Sequence, residues 1–294
     1  MTETPFGLEE FGRLVTELRP KLHSHCARMT GSVIDGEDVL QEALLRATEA
    51  LSENGPLTNP AGWLFRIAHN AALDHLRRRA RQGEHVGEGF EMIADPVNRI
   101  DDRLVVGASL RTFMRLPVAQ RSSVILKDVF GYSLEEVGEV MGCTVQAAKS
   151  ALQRGRIRLR ELADEPEDVA PPSLAEYERS RLLDYVDRFN ARDFDTIRDM
   201  LADDVRLDLV NRTQAGGRGA VGKYFHNYSH IHDWRLIAGF VDRRPAILVV
   251  DPEDPEGPPA YFVLVNWAAN GIAGIRDFRF ARYAIKDAEI WTFK

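Results

Sequence analysis

The chain has 294 residues, 44% of them hydrophobic and 28% charged, with a formal net charge of -7. That length exceeds one ordinary core and suits two or three compact domains, and the composition is that of a soluble globular protein. No apolar run approaches the roughly 20 residues that span a bilayer, and Met1 to Glu10 lacks the basic-then-apolar pattern of a secretory leader, so a cytoplasmic protein is expected. The two cysteines, Cys26 and Cys143, stand outside any Cys/His cluster with zinc spacing and read as buried thiols; no metal or cofactor is expected. The acidic balance argues weakly against nucleic acid, but its distribution matters more. Basic residues gather at Arg77, Arg78, Arg79 and Arg81, and again at Lys149, Arg154, Arg156, Arg158 and Arg160. A chain that touches DNA at two separated places has this form.

Residues 8–81 read as all helix, with apolar positions at three- and four-residue spacing. In the helix Glu37 to Leu51, Leu40, Leu44, Ala47 and Leu51 form a core stripe. Asp38, Gln41, Glu42, Leu45 and Glu49 lie opposite, as on any solvated face, although Leu45 hints at a partner surface. Leu51 to Ala61, with Asn54, Gly55, Pro56, Asn59 and Pro60, is a loop by composition. In the helix Trp63 to Arg81, Leu64, Ala68, Ala72 and Leu76 are the buried stripe, and Arg66, Asn70, Asp74, Arg77 and Arg81 line another face. C-terminal arginines suit the helix dipole by themselves. Trp63 and Phe65 beside a basic face also suit single-stranded DNA, whose bases stack on rings while phosphates meet arginines.

Residues 82–102 form an acidic, largely irregular linker. Helical periodicity returns over residues 103–163. Ser133 and Glu136 make a capping box for a helix Leu134 to Met141, which Gly142 ends. Thr144 caps the next helix. Helix, glycine-containing turn and helix make a helix-turn-helix. In the second helix Val145, Ala148, Leu152, Gly155 and Leu159 are the inner stripe, and Gln146, Lys149, Ser150, Gln153, Arg156 and Arg160 the outer one. Residues 145–163 carry five basic side chains against the single acid Glu161, which favours DNA recognition over a merely charged surface.

Residues 164–172 are a second linker with three prolines. Residues 173–294 open with a helix Ser173 to Asn190, capped by Ser173, and a short helix Phe194 to Leu201. Strands are predicted at Val205 to Val210, Arg235 to Val241, Ala246 to Val250, Tyr261 to Trp267, Ile275 to Ile285 and Glu289 to Phe293, with a glycine break at Gln214 to Gly222 before a helix around Lys223 to Tyr228. Helices followed by strands mark an α+β domain.

Three segments carry a resemblance. DVLQEALLRA (Asp38 to Ala47) resembles the polymerase-binding helix of bacterial sigma factors, and WLFRIAHNAALDHLRRR (Trp63 to Arg79) their promoter-melting helix. LPVAQRSSVILKDVFGYSLEEVGEVMGCTVQAAKSALQRGRIRLREL (Leu116 to Leu162) resembles their fourth region. The arrangement is similar to the extracytoplasmic-function group of RNA polymerase sigma factors. The resemblance implies a multidomain chain of two all-α sigma domains, the second with a helix-turn-helix, and a non-enzymatic initiation factor. Asp38, Val39, Leu40, Gln41 and Glu42 would meet the largest-subunit clamp of core polymerase. The loop Leu51 to Ala61 would receive a base flipped from the minus-ten element, and Trp63, Asn70, Asp74, Arg77 and Arg78 would line the melted strand. Gln146, Lys149, Ser150, Gln153, Arg154 and Arg156 would read the minus-thirty-five element. The acidic linker would run near the RNA exit channel and imitate RNA phosphates, or serve as a plain tether.

The final 120 or so residues resemble the SnoaL-like branch of the nuclear-transport-factor cone fold. Gln214-Ala215-Gly216-Gly217-Arg218 stands where some sigma factors with such a domain have a glycine-rich motif that begins with aspartate; Gln and Ala depart from it. A cone pocket implies a small-molecule ligand, and acid–base chemistry there would need a carboxylate or histidine. Asp208, His226, His230 and His232 are the candidates, with an ordinary polar strand position and surface histidines as the alternative reading. Two rivals to an initiation factor remain at this level: a cone-fold isomerase or hydrolase with a DNA-localising N-terminal half, and a simple helix-turn-helix repressor. The melting helix speaks against the repressor, which has no need to open DNA.

Overall fold

Apolar stripes at helical spacing bury three long helices against one another: α1 (Leu8–Thr30), α2 (Val33–Leu51) and α3 (Pro60–Arg81). The computed structural model describes residues 7–51, 57–82, 108–163, 165 and 170–293, which fall into two units, Met1–Asp168 and Val169–Lys294. The acidic linker beyond Gln82 and most of the second linker lie outside the described residues. Asn59 caps α3, its Oδ1 accepting the Gly62 N–H at 2.9 Å, with Pro60 at the first helical position where its missing N–H costs nothing. The stripe Leu64, Ala68, Ala72 and Leu76 is buried as the periodicity predicts, whereas Phe65 is also fully buried and is withdrawn from any role in stacking on DNA.

Among the described residues the first unit has four further helices: α4 (Leu110–Met114), α5 (Val118–Val124, continued by a π-helical turn Ile125–Val129), α6 (Leu134–Met141) and α7 (Val145–Ala163). Both halves of the capping box are formed: Ser133 N–H donates to Glu136 Oε2 at 2.7 Å, and Glu136 N–H to Ser133 Oγ at 3.2 Å. Gly142 turns the chain with φ +66°, a region that glycine enters without steric cost, and Thr144 Oγ1 accepts the Ala147 N–H. Val145, expected on the inner stripe, is 41% exposed; Ala148, Leu152, Gly155 and Leu159 are buried.

The sequence suggests two separate helical domains, but they share one core. Phe65 of α3 meets Phe130 and Tyr132 edge-on at 5.7 and 5.3 Å. Arg121 of α5, fully buried, donates to Met29 O at the end of α1 at 2.5 Å and to Leu116 O at 3.1 Å.

The second unit begins with α8 (Glu176–Asn190) and α9 (Phe194–Asp199). The first is capped two residues later than expected: Ala175, and not Ser173, is the cap and makes no side-chain bond. Seven strands follow: β1 (Leu201–Leu209), β2 (Thr213–Gly216), β3 (Arg235–Val241), β4 (Arg244–Val250), β5 (Tyr261–Ala268), β6 (Gly271–Asp277) and β7 (Ile290–Thr292), with α10 (Arg218–Ser229) between β2 and β3. Their order is β2-β1-β6-β5-β4-β3-β7, with β1 and β6 parallel and the rest antiparallel. α8 lies against β3 and α10 against β1, so one face of the sheet closes over an aromatic core in a cone-like, mixed α+β arrangement. Phe189 stands at its centre, edge-on to Phe194, Tyr228 and Trp234 at 5.0–5.2 Å.

Two strand expectations are corrected. Thr213–Gly216, read as part of a glycine break, pairs with β1. The long strand Ile275 to Ile285 stops at Asp277, where Phe278 turns in to stack on Phe262 at 4.1 Å, and Arg282–Asp287 is a 3-10 helix.

At Gly155 α7 packs tightly on α5: a Cβ there would meet Val124 Cγ2 at 2.8 Å and Gln120 O at 3.0 Å. Gly155→Ala should therefore push the helix-turn-helix off its support and cost about 1–3 kcal/mol. Urea unfolding followed by far-ultraviolet circular dichroism checks this; an unchanged midpoint would show that the two helices are not in contact there.

Candidate nucleic-acid and polymerase interfaces

The exposed side of α2 is made by Asp38, the half-buried Gln41 and Leu45, which is 66% exposed. Val39 and Leu40, which the resemblance counts in the polymerase-binding set, are core residues at 1% and 0% exposure; the helical period that brings Asp38 and Gln41 out turns them in. Glu42 is half-buried and engaged. Arg46 donates to Glu42 at 2.5 Å and to Asp74 at 3.0 Å, Arg78 donates to Glu42 at 2.7 Å, and Arg77 to Asp74 at 3.1 Å. This network joins α2 to α3. Partial burial raises the Glu42 carboxyl, but the Arg78 hydrogen bond and the Arg46 charge hold it below the ordinary range; the Arg46 hydrogen bond does the same for Asp74. Glu42, Asp74 and Arg78, expected from the resemblance to meet polymerase or the melted strand, thus also tie α2 to α3.

At the start of α3, Leu57, Thr58, Asn59, Gly62, Trp63 and Arg66 line a hollow of about 230 Å3. Trp63 is half-buried against Phe11, edge-on at 6.4 Å, and so holds a fixed face beside the hollow. Asn70, Arg77 and Arg66 are exposed along the same helix. The sequence reading missed one wall: Glu139 of α6 also lines the hollow. Nothing local in its helix signals this, because the contact is tertiary.

On α7, Gln146 and Lys149 are exposed, and Ser150, Gln153 and Arg154 half-buried. Arg156 is turned away from the DNA-reading set that the sequence drew: its Nε and Nη2 both donate to the carboxylate of Asp128, whose side chain is 4% exposed, with Nε at 2.9 Å. A bidentate, largely buried pair fixes the arginine inward.

The acid–base candidates of the second unit also move. Asp208 pairs with Arg276 at 3.2 Å and accepts from Gln214 at 3.5 Å. His226, His230 and His232 are exposed, the first two 3.2 Å apart. The carboxylate in the cone is Asp277, fully buried. Its Oδ2 accepts from Tyr224 at 3.0 Å and Tyr228 at 2.7 Å, and its Oδ1 accepts the Arg279 N–H at 2.8 Å. Tyr228 and Tyr261 hydroxyls lie 3.1 Å apart, and Arg279 donates to Tyr261 at 2.8 Å and to Asp233. Burial raises the Asp277 carboxyl, and the Tyr228, backbone and Tyr224 bonds offset it only in part. Among the described residues no group of three or more His, Cys, Asp or Glu could hold a metal, and no helix is long and apolar enough to cross a membrane.

A hollow beside a fixed indole and a capped helix-turn-helix with a polar outer stripe define a DNA-binding protein. The family Sigma-70 region 2 matches residues 14–82, and Sigma-70, region 4 matches residues 110–159. The chain is 31% identical over 166 residues to the ECF RNA polymerase sigma factor SigW of Bacillus subtilis, covering 52% of this chain and 88% of that protein. It is 27% identical over 300 residues to the ECF RNA polymerase sigma factor SigG of Mycobacterium tuberculosis, covering 92% and 81% respectively. The crystal structure of the Mycobacterium tuberculosis extracytoplasmic-function sigma factor SigJ is similar with a TM-score of 0.35 and 20% identity, over 92% of this chain and 95% of that one. The chain belongs to the extracytoplasmic-function RNA polymerase sigma factors, which bind core polymerase and promoter DNA and direct transcription initiation.

Two substitutions on α7 separate reading from support. Lys149→Ala should leave stability within about 0.5 kcal/mol and lower the slope of log affinity against log salt by about 1. Arg156→Ala should cost about 2–3 kcal/mol of stability by leaving Asp128 buried and unpaired. Promoter gel shifts over a salt series, with urea unfolding of both variants, measure the pair; a destabilised Lys149→Ala with a stable Arg156→Ala would reverse the assignment.

Asp277 also sets a pH dependence. A carboxyl raised in the folded state adds stability that is fully present below its unfolded pKa and is lost as pH rises through the folded one. The stability of the wild type relative to Asp277→Asn should therefore fall as pH rises from the ordinary aspartate range towards neutrality, measured by urea unfolding. A rising difference would mean that the tyrosine bonds outweigh burial.

Proposed function

We propose that the residues of this sigma factor divide as follows. Asp38, Gln41 and Leu45 dock on the clamp of the polymerase largest subunit. The hollow at Asn59, Trp63 and Arg66 receives an unstacked base of the minus-ten element, with Asn70 and Arg77 along the strand. Gln146, Lys149, Ser150 and Gln153 read the minus-thirty-five element in the major groove. The observation that carries this reading is the hollow itself: an aromatic wall, a cation and an amide converge on about 230 Å3 at the N-terminus of a helix whose outer face is basic.

The same hollow supports an idle state. Glu139 of the helix-turn-helix region lines it, so a carboxylate stands where nucleic acid brings negative charge. Promoter opening then requires the helix-turn-helix region to leave the first three helices. The C-terminal unit, tethered to α7 by the segment Asp164 to Pro172, biases that balance, and a small molecule in its cone shifts it by binding one state more tightly. Its role is regulation rather than turnover, and the site of action is the cytoplasm, where polymerase works.

Run-off transcription with purified core polymerase on a promoter library, with and without residues 173–294, tests the proposal. Removal should change output from a cognate promoter severalfold while pull-down of core polymerase persists. Identical transcription by the two forms would end the regulatory reading, and no promoter-dependent transcription from either would end the assignment of the DNA-reading residues.

A further inference from the structure

Two imidazoles are sealed into the seam between the first three helices and the helix-turn-helix region. His25 of α1 is 0% exposed and neither ring nitrogen has a hydrogen-bond partner; His69 of α3 is 2% exposed and its Nδ1 has none. The two rings stand 5.7 Å apart, and His25 also meets Phe65 of α3 at 5.8 Å and Phe130, at the end of the π-helical turn, at 6.2 Å. Phe65 lies one turn from His69 on the same face of α3, where it touches Phe130 and Tyr132. The cluster is thus built from both sides of the seam. A neutral imidazole carries one donor and one acceptor, so burying it unpaired is unfavourable where phenylalanine would pack without that penalty. Polar groups kept in a core at such a cost point to a role beyond packing.

The surroundings of the pair oppose a proton. On α1 the Arg28 charge acts on His25, and α3 presents His69; both disfavour an imidazolium there, and burial disfavours it more strongly, so His25 is held well below the ordinary range. Burial lowers His69 to about 4. Charged groups of the other elements around the seam are engaged elsewhere. Glu37 of α2 pairs with Arg19, Arg121 of α5 with the Met29 and Leu116 carbonyls, Asp128 of the π-helical turn with Arg156, and Glu136 of α6 with the Ser133 N–H. Among the described residues no carboxylate compensates either imidazole.

We infer that His25 and His69 form an acid-sensitive latch: acidification releases the helix-turn-helix region from the first three helices, because the two imidazoles take up protons once the seam has parted. The inference rests on the reading of the packed first unit as an idle state and names its signal, a fall in pH. The sign follows from the two surroundings. In the closed seam both rings stay neutral; in the parted seam they meet water and regain the ordinary imidazole pKa of about 6.5. The closed state is fully favoured above that value and weakens as pH falls below it, towards the closed-state values. Each imidazole then favours opening by about tenfold between about pH 7.5 and about pH 5.5, and the pair by about 100-fold.

Ser122 of α5 is 1% exposed and its hydroxyl rests on the Met29 sulfur of α1 at 3.5 Å, so Ser122→Cys places a near-isosteric thiol in the seam. Cys26, fully buried in α1, reports unfolding of the three helices instead. The full-length chain is treated with a pyridyl disulfide at about pH 7.5 and about pH 5.5, and each cysteine is followed by peptide mass spectrometry. Rates divided by those of the urea-unfolded chain at the same pH give the open fraction. That fraction at position 122 should rise about 100-fold in acid while Cys26 stays protected. His25→Phe or His69→Leu should cut the response to about tenfold, and the two together should abolish it. Circular dichroism at both pH values checks that each variant is folded, and either single variant alone carries the same test. An open fraction indifferent to pH, an acid response that survives the substitutions, or labelling of Cys26 in step with position 122 overturns the latch. If the seam opens in acid but a single-stranded minus-ten oligonucleotide binds no more tightly there, the latch stands and the idle-state reading of the hollow falls. If pH leaves the seam unmoved while Glu139→Gln still tightens that binding, the idle state stands without the latch.

Discussion

A buried guanidinium joins the two helical regions of the first unit. Arg121 sits at 0% exposure, and it donates to the carbonyl oxygens of Met29 and Leu116 and to the Met114 sulfur. Burial lowers its pKa to about 10, which still leaves it charged at neutral pH. Met29 belongs to the last turn of α1, where the carbonyl groups present the negative end of the helix dipole, and that end compensates the cation. The bond ties α5 to α1, and Phe65 of α3 meets Phe130 and Tyr132 in the same core. Region 2 and region 4 of this sigma factor consequently form one core, and Glu139 comes to the hollow at the head of α3.

That packing redistributes the charged side chains between support and recognition. Arginines on α3 and α7 look alike along the chain, but their surroundings differ. Arg156 faces the nearly buried Asp128 and is fixed inward, while Lys149, seven residues earlier and two turns away, is in solvent. Arg78 and Arg46 meet Glu42 and Asp74 across the α2–α3 seam. With side chains about a third to a half exposed, such pairs contribute little energy singly, and their value is in fixing the register of two helices whose outer faces must stay aligned.

The second unit is organised by different physics. Its core is aromatic, and a carboxylate is embedded in it because three donors, two phenols and a backbone amide, replace the water it loses. The chain Arg279–Tyr261–Tyr228–Asp277 runs from the half-buried guanidinium to that carboxylate, each group donating to the next. Tyr185 stands beside this network and outside it.

Local pattern alone determined the helices and their inner faces. The stripe Leu64, Ala68, Ala72 and Leu76, the Ser133–Glu136 capping box, the glycine turn at Gly142 and the strand Arg235–Val241 depend on neighbours within a few residues, so periodicity and capping chemistry disclose them. The sequence motifs likewise disclosed the sigma-factor class and the presence of a cone-like second unit. Tertiary structure decided which of the matching residues are available. Phe65 is spent on the region 2–region 4 contact, Val39 and Leu40 on the core, Arg156 on a carboxylate 28 residues away, and Asp277 on tyrosines 49 and 53 residues away. Such partners leave no period in the chain. Burial and pairing across long separations are properties of the packed molecule, and they changed the buried acid of the cone from Asp208 to Asp277.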